Sequence, residues 1–203
     1  GSGEIGEVIT NNARTFKNIP STISYKGLLV VRGEALIRYS DFDKINQELS
    51  ESEEKYKNPR NLCSGSVRQL DNKITASRNV NYYVYQSILS EPDLLFTTRS
   101  EQLCWLSELG FDVVPYQKVF NENLEEKVQW FSEEVKHSDL PSDGLVLTFD
   151  DLSYSKSLGR TQKFPKDSLA YKWEDEEAET ILREIEWSPS RTGLINPIAI
   201  FDP

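Results

Sequence analysis

The sequence predicts an α+β fold with a mainly antiparallel sheet. Short apolar segments typical of strands outnumber the segments with helical spacing, and the two kinds do not alternate strictly along the chain. A doubly wound parallel fold requires that alternation, so the pattern favours the α+β class. At 203 residues, with 37% hydrophobic and 28% charged residues, the chain can bury a substantial core as one domain, or as one large domain with an appendage.

Strands are expected where β-branched, aromatic and other apolar residues form short runs between turn residues. These runs are 28–37, 80–88, 111–114, 144–149, 170–173, 181–187 and 193–201. The run 80–88 is rich in tyrosine and valine and alternates poorly, which predicts a strand that is buried on both faces.

Helices are expected in three segments where apolar residues recur at helical spacing, 41–50, 99–109 and 124–136. Asp41 is a candidate N-cap for the first, because its side chain can accept a hydrogen bond from a free backbone amide. Gly110 is expected to end the second, since glycine readily adopts the left-handed conformation that follows many helices. The charged run 51–57 is expected to form a solvated loop.

Charge and cysteine content exclude several classes of protein. The formal net charge of -10 argues against a protein that coats nucleic acid by electrostatics alone, because phosphate neutralisation needs clustered cations. No apolar run approaches the roughly 20 residues of a membrane span. Cys63 and Cys104 lack metal or redox spacing, so both are expected to be buried thiols in a reducing cytoplasm. Because the sequence begins at Gly1 and contains no methionine, we expect that a preceding segment was removed or left out.

Charged residues interrupt the apolar strand 28–37 at Arg32-Gly33-Glu34. A charged group in an apolar setting is costly unless it is paired or has a function. Two interpretations stay open. Either these side chains face solvent, or Glu34 presents a carboxylate to a sugar hydroxyl or to a metal ion.

Two arginines, Arg60 and Arg68, belong to the segments 58–61 and 65–70. On a helix their separation would place both side chains near one face. Guanidinium groups make planar, bidentate contacts to phosphate. The pair therefore indicates either a phosphate-binding face or a surface helix with stray arginines.

Polar residues also mark two later strands. Asp143-Gly144 opens the strand 144–149, and Lys172 lies between aromatic residues on the strand 170–173. A lysine in such a setting is expected to be half-buried and to have an anionic partner. That partner is either Glu34, in a structural ion pair, or a phosphate.

Taken in order, these segments resemble the adenylation domain of the bacterial NAD-dependent DNA ligases. The resemblance rests on a glycine-rich loop, on the family's longest motif, on a later Leu-Gly-Arg-Thr sequence and on the approach to the next domain. The matching segments are 1–10 with Asn12, Arg14-Thr15 and Ile19-Pro20, then 58–61 through 68–71, then 158–161 with Pro165 and Lys172, and finally 190–193 with Asn196-Pro197. They cover nearly the whole chain in one order.

The resemblance implies a nucleotidyltransferase (ATP-grasp-like) domain with mainly antiparallel sheets that ends at the start of an OB-fold. The adenylation domain, lacking its N-terminal part, would cover 1–186, and a linker with the first OB-fold strand would cover 187–203. In this family a lysine takes AMP from NAD and passes it to the 5′-phosphate at a DNA nick. The neighbouring 3′-hydroxyl then closes the nick.

The resemblance also implies where a nucleotide binds. Glu34 matches the carboxylate near the AMP ribose and is a candidate ligand for Mg²⁺. Tyr85 matches the aromatic residue that stacks on adenine, with Val146 on the other face of the base. Asp143-Gly144 matches the motif that opens the nucleotide-binding strand.

Three basic residues match positions that act on phosphates. Lys172 matches the lysine that reaches the α-phosphate, and Arg60 and Arg68 match arginines that handle phosphates or the nick. The implied cofactors are NAD, as AMP donor, and Mg²⁺, with zinc in the parent protein only. The implied partners are nicked duplex DNA and NAD or AMP, for a monomer in the bacterial cytoplasm without membrane contact.

Two departures from the family pattern limit what this chain is expected to do. No Lys-x-Asp-Gly sequence, whose lysine carries AMP in the family, occurs in the chain. Thr148 stands where the family usually has a lysine, so Lys156, Lys163 or an arginine compensates, or the site is weakened. The chain is therefore expected to be part of a larger ligase and to be inactive when isolated. The alternative is a non-catalytic relative that binds an adenine nucleotide.

Overall fold

A computed structural model describes residues 6–87, 96–162, 164–173 and 179–202. The chain divides into two compact units, Gly1–Lys172 and Trp173–Pro203. The described part of the first unit contains, in chain order, α1 (Thr10–Ala13), β1 (Val31–Leu36), α2 (Tyr39–Glu48), α3 (Pro59–Ser66), α4 (Asn72–Ser77), β2 (Asn81–Ser87), α5 (Arg99–Glu108), a 3-10 turn (Asn121–Asn123), α6 (Leu124–His137), β3 (Gly144–Thr148), α7 (Leu152–Leu158) and β4 (Ser168–Lys172). The second unit contains β5 (Leu182–Pro189) and β6 (Ile195–Phe201).

The strands form small antiparallel sheets, which confirms the predicted α+β class. In the described ranges β1 pairs with β2, β3 with β4 and β5 with β6. The segment 111–114 is not a full strand but joins β2 through one parallel bridge between Val84 and Val113. There the Val84 amide donates to the Asp112 carbonyl at 2.8 Å, and the Val114 amide donates to the Val84 carbonyl at 2.9 Å.

The core of the first unit lies on both sides of β2. One buried cluster contains Phe16, Ile37, Leu62, Cys63 and Val80, and the other contains Val84, Leu103 and Leu106. Tyr83 and Val84 are both buried, and consecutive strand residues point to opposite faces. The prediction of a strand buried on both faces is therefore confirmed at its centre, although Tyr85 is 42% exposed.

Helix α5 agrees closely with the sequence-based expectation. The Thr98 hydroxyl accepts a hydrogen bond from the Glu101 amide, and the Glu101 carboxylate accepts one from the Thr98 amide. The amides of Thr97 and Thr98 both donate to the Glu101 carboxylate and hold the pKa of this carboxyl below its usual value. Gly110 follows the helix with φ of +94°, a conformation that ends helices and favours glycine.

Other elements differ from the predictions. The apolar residues 28–30 lie outside β1. Helix α2 begins earlier than expected, with Arg38 rather than Asp41 at the N-cap. The short helices α1, α4 and α7 were not predicted. The Asp71 side chain caps α4 and the Asp151 side chain caps α7.

A buried asparagine ties α1 to the segment that follows α3. The Asn12 amide nitrogen donates to the carbonyls of Val67 and Gln69 at 2.8 and 2.9 Å. Its side-chain oxygen accepts a hydrogen bond from the Thr75 hydroxyl of α4 at 3.1 Å. Asn12 is 6% exposed, so its side-chain amide depends on these partners.

The second unit, taken by itself, is a hairpin. The Ser190 amide donates to the Leu194 carbonyl at 2.7 Å, and Gly193 has φ of +83°. The Arg183 guanidinium pairs with the Asp202 carboxylate, which raises the pKa of the arginine. Several large apolar side chains of this hairpin are exposed, among them Ile185, Trp187, Ile195 and Phe201.

Replacement of Asn12 by alanine is expected to lower the free energy of unfolding by about 1–3 kcal/mol, because the hydrogen bonds of this buried side chain are lost. Urea unfolding followed by circular dichroism measures this change. Asn11→Ala is the matched control, since Asn11 lies on the exposed side of the same helix. Equal stabilities for the two variants would contradict the assigned role.

Candidate functional site

Arg60 lies between two carboxylates from distant parts of the chain. Its Nη1 donates to Asp143 Oδ2 at 2.7 Å, and its Nη2 is 3.8 Å from Glu34 Oε1. The three side chains are 66%, 67% and 64% exposed in that order, so the ion pairs add little stability. Their importance is positional, because they bring β1, α3 and the start of β3 to one place.

The N-terminus of α3 fixes the position of Arg60. The Asn58 side-chain oxygen accepts hydrogen bonds from the Arg60 and Asn61 amides at 2.8 and 3.2 Å. Pro59 occupies the first turn, where its missing amide proton costs nothing. The sequence Asn-Pro-Arg-Asn is thus a helix start that presents the arginine. Asn58 was not among the predicted site residues, although an asparagine before a proline is a recognisable capping signal.

Glu34 lies on the solvent-facing side of β1, as does Arg32. The interpretation that the charged residues of this strand face solvent is therefore correct. It does not exclude a functional role, because the exposed carboxylate is the one that meets Arg60. A strand whose charged residues only faced solvent would not require the contact between Glu34 and Arg60 of α3.

A β-bulge sets the position of Tyr85. In the pairing of β1 with β2, Gly33 is opposite Val84 and Arg32 is opposite Gln86, so Tyr85 has no partner across the strand. Bulges of this kind redirect a side chain. A β-carbon at Gly33 would collide with the Tyr83 carbonyl oxygen, so glycine is required beside the bulge. Tyr85 thus lies at the irregular end of the sheet that carries Glu34.

Strands β3 and β4 place the remaining predicted residues on one face. Gly144 pairs with Lys172 and Val146 pairs with Ala170, and directly paired residues share a face of an antiparallel ribbon. A β-carbon at Gly144 would collide with the Tyr171 carbonyl oxygen and lie 2.9 Å from the Lys172 α-carbon. Only glycine therefore allows this close pairing at the Lys172 end of the ribbon.

One expectation about Lys172 is wrong, and one of the two alternatives for its partner is excluded. The side chain is exposed rather than half-buried, because the face it shares with Val146, itself 65% exposed, is uncovered. Glu34 is not its partner, since that carboxylate meets Arg60 instead. Within the described ranges Lys172 forms no ion pair.

Arg68 is separate from the Arg60 contacts. Helix α3 ends at Ser66, so the expectation that the two arginines share a helical face is wrong. The Arg68 guanidinium folds back on the helix, where Nη2 donates to the Ser64 hydroxyl at 2.9 Å and Nε to the Ser64 carbonyl at 3.3 Å.

Thr148 lies at the other end of the β3–β4 ribbon from Lys172. Its hydroxyl donates to the Asp167 carbonyl at 3.3 Å and lies 3.1 Å from the Ser168 hydroxyl. This end of the ribbon face therefore carries two neutral hydroxyls instead of a cation. Lys163, one of the residues expected to compensate, lies outside the described residues.

The described residues contain no ready-made metal centre. Across 6–87, 96–162, 164–173 and 179–202, no group of three or more His, Cys, Asp or Glu side chains could hold a metal ion. Nor is any helix of these ranges long and apolar enough to cross a bilayer.

Comparison with known proteins decides the family. The family model described as "NAD-dependent DNA ligase adenylation domain" matches residues 1–176. The chain belongs to this family. The resemblance seen in the sequence is thereby confirmed, and the residues grouped around Arg60 belong to an adenylation domain.

Relatives of the adenylation domain are named DNA ligase. The protein of Ruminiclostridium cellulolyticum is 60% identical over all of this chain, which covers 31% of that protein. The protein of Lachnoclostridium phytofermentans is 58% identical with the same coverage. That of Latilactobacillus sakei is 42% identical, with 30% of its length covered. The chain thus spans about a third of the length of these relatives.

The two cysteines of the adenylation domain differ in environment. Cys63, on α3 behind Glu34, is buried, and burial together with the negative charge of Glu34 raises the pKa of its thiol to about 11. Cys104 is exposed, so the expectation that both thiols are buried is wrong for it. Its position on the outer face of α5 explains the difference.

Alkylation near pH 9 is expected to modify Cys104 first. The Cys63 thiol stays protonated there because its pKa is about 11, and only the thiolate reacts. The raised pKa of Cys63 also makes the free energy of unfolding depend on pH. The contribution of this thiol to stability is complete below the pKa of the unfolded thiol, and it is lost as the pH rises through about 11.

Peptide mass spectrometry after timed iodoacetamide treatment measures the two rates separately. A Cys104→Ser variant leaves Cys63 as the single thiol, and its reaction should accelerate only when urea unfolds the domain. Rapid modification of Cys63 in the folded protein at pH 9 would show that the assigned burial is incorrect.

Proposed function

We propose that the adenylation domain binds the AMP part of NAD along β1, β2 and the β3–β4 ribbon. Adenine lies between Tyr85 and Val146, Glu34 contacts the ribose, and Arg60 and Lys172 meet the phosphates. The observation that carries this proposal is the position of Arg60, which joins Glu34 of β1 to Asp143 at the start of β3. Two carboxylates singled out from the sequence, Glu34 and Asp143, thus lie beside Arg60.

The charges around Arg60 suit an anionic ligand. Glu34 and Asp143 share one guanidinium. A phosphate can replace a carboxylate on an arginine, because both accept planar, paired hydrogen bonds. Lys172 is exposed and pairs with Gly144, the residue that follows Asp143 in the sequence. It therefore offers a second cation to the same phosphate.

These residues position and stabilise the reacting phosphate. In phosphoryl transfer negative charge spreads over the phosphoryl oxygens, and fixed cations stabilise it. Arg60 and Lys172 are assigned this role. The lysine that attacks the α-phosphate is assigned to a Lys-x-Asp-Gly motif elsewhere in the parent protein, because this chain contains none.

The proposed Mg²⁺ fits a site built mainly by the substrate. Mg²⁺ commonly binds to one or two carboxylates together with substrate phosphates and waters. Glu34, with 64% of its side chain exposed, supplies one such carboxylate without a cluster of acids. When bound, the ion neutralises charge on the phosphates.

The proposed type of fold and the proposed domain boundaries are also those that membership of the family implies. The domain is assigned as a nucleotidyltransferase (ATP-grasp-like) domain over 1–186, with 187–203 as a linker and the start of an OB-fold. Strand β6 lies within 187–203, and its exposed apolar side chains support this assignment, since they suit a strand that belongs to a larger sheet. The proposed boundary falls inside β5.

The parent protein is proposed to be a monomeric bacterial ligase of the cytoplasm that seals nicks in duplex DNA. Arg60 and Arg68 contact phosphates at the nick, and zinc belongs to parts of the protein beyond this sequence. The net charge of -10 supports the proposal that other domains supply most of the DNA affinity. The chain alone does not ligate.

AMP affinity is expected to fall about tenfold in Lys172→Ala, because a charge-assisted contact to phosphate is lost. Thr148→Ala should change the affinity much less, since the threonine hydroxyl already bonds within the ribbon. Isothermal titration of AMP into the three proteins measures the difference. Equal affinities for the parent and both variants would remove the basis for the pocket.

Transfer of AMP to protein is expected only when the nucleophile is present. We would incubate NAD and Mg²⁺ with this chain and with a form extended upstream through the Lys-x-Asp-Gly motif, and measure intact mass. The extended form should gain one AMP and the present chain none. An extended form that gains no AMP would favour the non-catalytic relative instead.

A further inference from the structure

A second basic site lies in the first unit, away from Arg60. It is a cavity of about 310 Å³ between the start of α5, helix α7 and the turn that leads into β4. Three cations line it, Arg99, Lys156 and Arg160, together with one acid, Asp167. We call it the Arg99 cavity.

Arg99 and Asp167 form the buried wall of the Arg99 cavity. Arg99 Nη2 donates to Asp167 Oδ2 at 2.9 Å, and the two side chains are only 15% and 11% exposed. The other carboxylate oxygen, Oδ1, accepts a hydrogen bond from the Ser168 hydroxyl at 2.9 Å. The acid is thus fully engaged, whereas Arg99 Nε has no hydrogen-bond partner among the described residues.

Lys156 and Arg160 supply charge that no acid of the described ranges neutralises. Neither forms an ion pair there. Lys156 lies in the last turn of α7, and Gly159, with φ of +68°, turns the chain toward Arg160. The Lys166 amide donates to the Gly159 carbonyl at 3.1 Å, and Arg160 bridges to Pro165. This turn holds the arginine at the cavity.

Three cations against one engaged acid give the Arg99 cavity a net positive charge in a chain whose net charge is -10. Guanidinium and ammonium groups grouped in a concave site select phosphoryl oxygens. The volume is at the lower end of the range for small-molecule sites. A duplex backbone requires an open surface, so the cavity suits a small anion better than DNA.

We propose that the Arg99 cavity binds the phosphoryl group of a small molecule at a site separate from the proposed AMP pocket. Asp167 precedes Ser168, which pairs with Thr148, whereas Lys172 pairs with Gly144 at the far end of the ribbon. Four residues of strand correspond to about 13 Å. The two phosphate positions are therefore distinct, and the cavity does not depend on AMP binding.

The test is isothermal titration of inorganic pyrophosphate into the complete chain at low salt. The double variant Lys156→Gln/Arg160→Gln is expected to weaken pyrophosphate binding about tenfold or more. The control Lys73→Gln/Arg191→Gln removes the same two charges from exposed positions and should leave it unchanged.

Parallel titration with AMP distinguishes the two sources of the phosphoryl group. If the double variant loses affinity for pyrophosphate but keeps it for AMP, the site takes a free phosphoanion. If it loses affinity for both, the site takes a nucleotide phosphate. Absent pyrophosphate binding in the parent chain, or equal losses in the double variant and its control, would overturn the proposal.

Discussion

The contact of Arg60 with Asp143 is the interaction on which the candidate site depends. It joins α3 to the start of β3, two elements that are far apart in the sequence. The pair is largely exposed, so its contribution to the free energy of folding is small. Its importance is positional, since it lies where Glu34, Arg60 and Asp143 come together from β1, α3 and the start of β3. The buried core provides the stability, and this ion pair joins groups that the core has already brought close.

The longer elements could be predicted from sequence because their signals are local. Helix α5 has apolar spacing, a capping box and a terminal glycine, and all three act within a few residues of the helix. Helices α4 and α7 were missed because six and seven residues are too few for a helical period to be recognised. Their aspartate caps were the usable signals. The isolated bridge at Val113 could not be foreseen, since it depends on pairing with β2.

The same distinction applies to the site. Glu34, Arg60 and Asp143 were selected from sequence, and the structure brings them together. The bulge at Tyr85 escaped prediction because it arises from register between two strands rather than from either strand alone. The end of α3 before Arg68 and the exposure of Lys172 were misjudged for a related reason. Both depend on what packs against an element, which helical or strand periodicity does not report.

The β3–β4 ribbon has one further consequence. Its exposed face carries a cation at one end, Lys172, and paired hydroxyls at the other, Thr148 and Ser168. Such a surface is electrically polar along its length. An elongated ligand with one charged end therefore has a preferred direction on it, and reversing that ligand would move its charge away from the lysine. The ribbon therefore selects the direction in which such a ligand binds as well as the shape of the ligand.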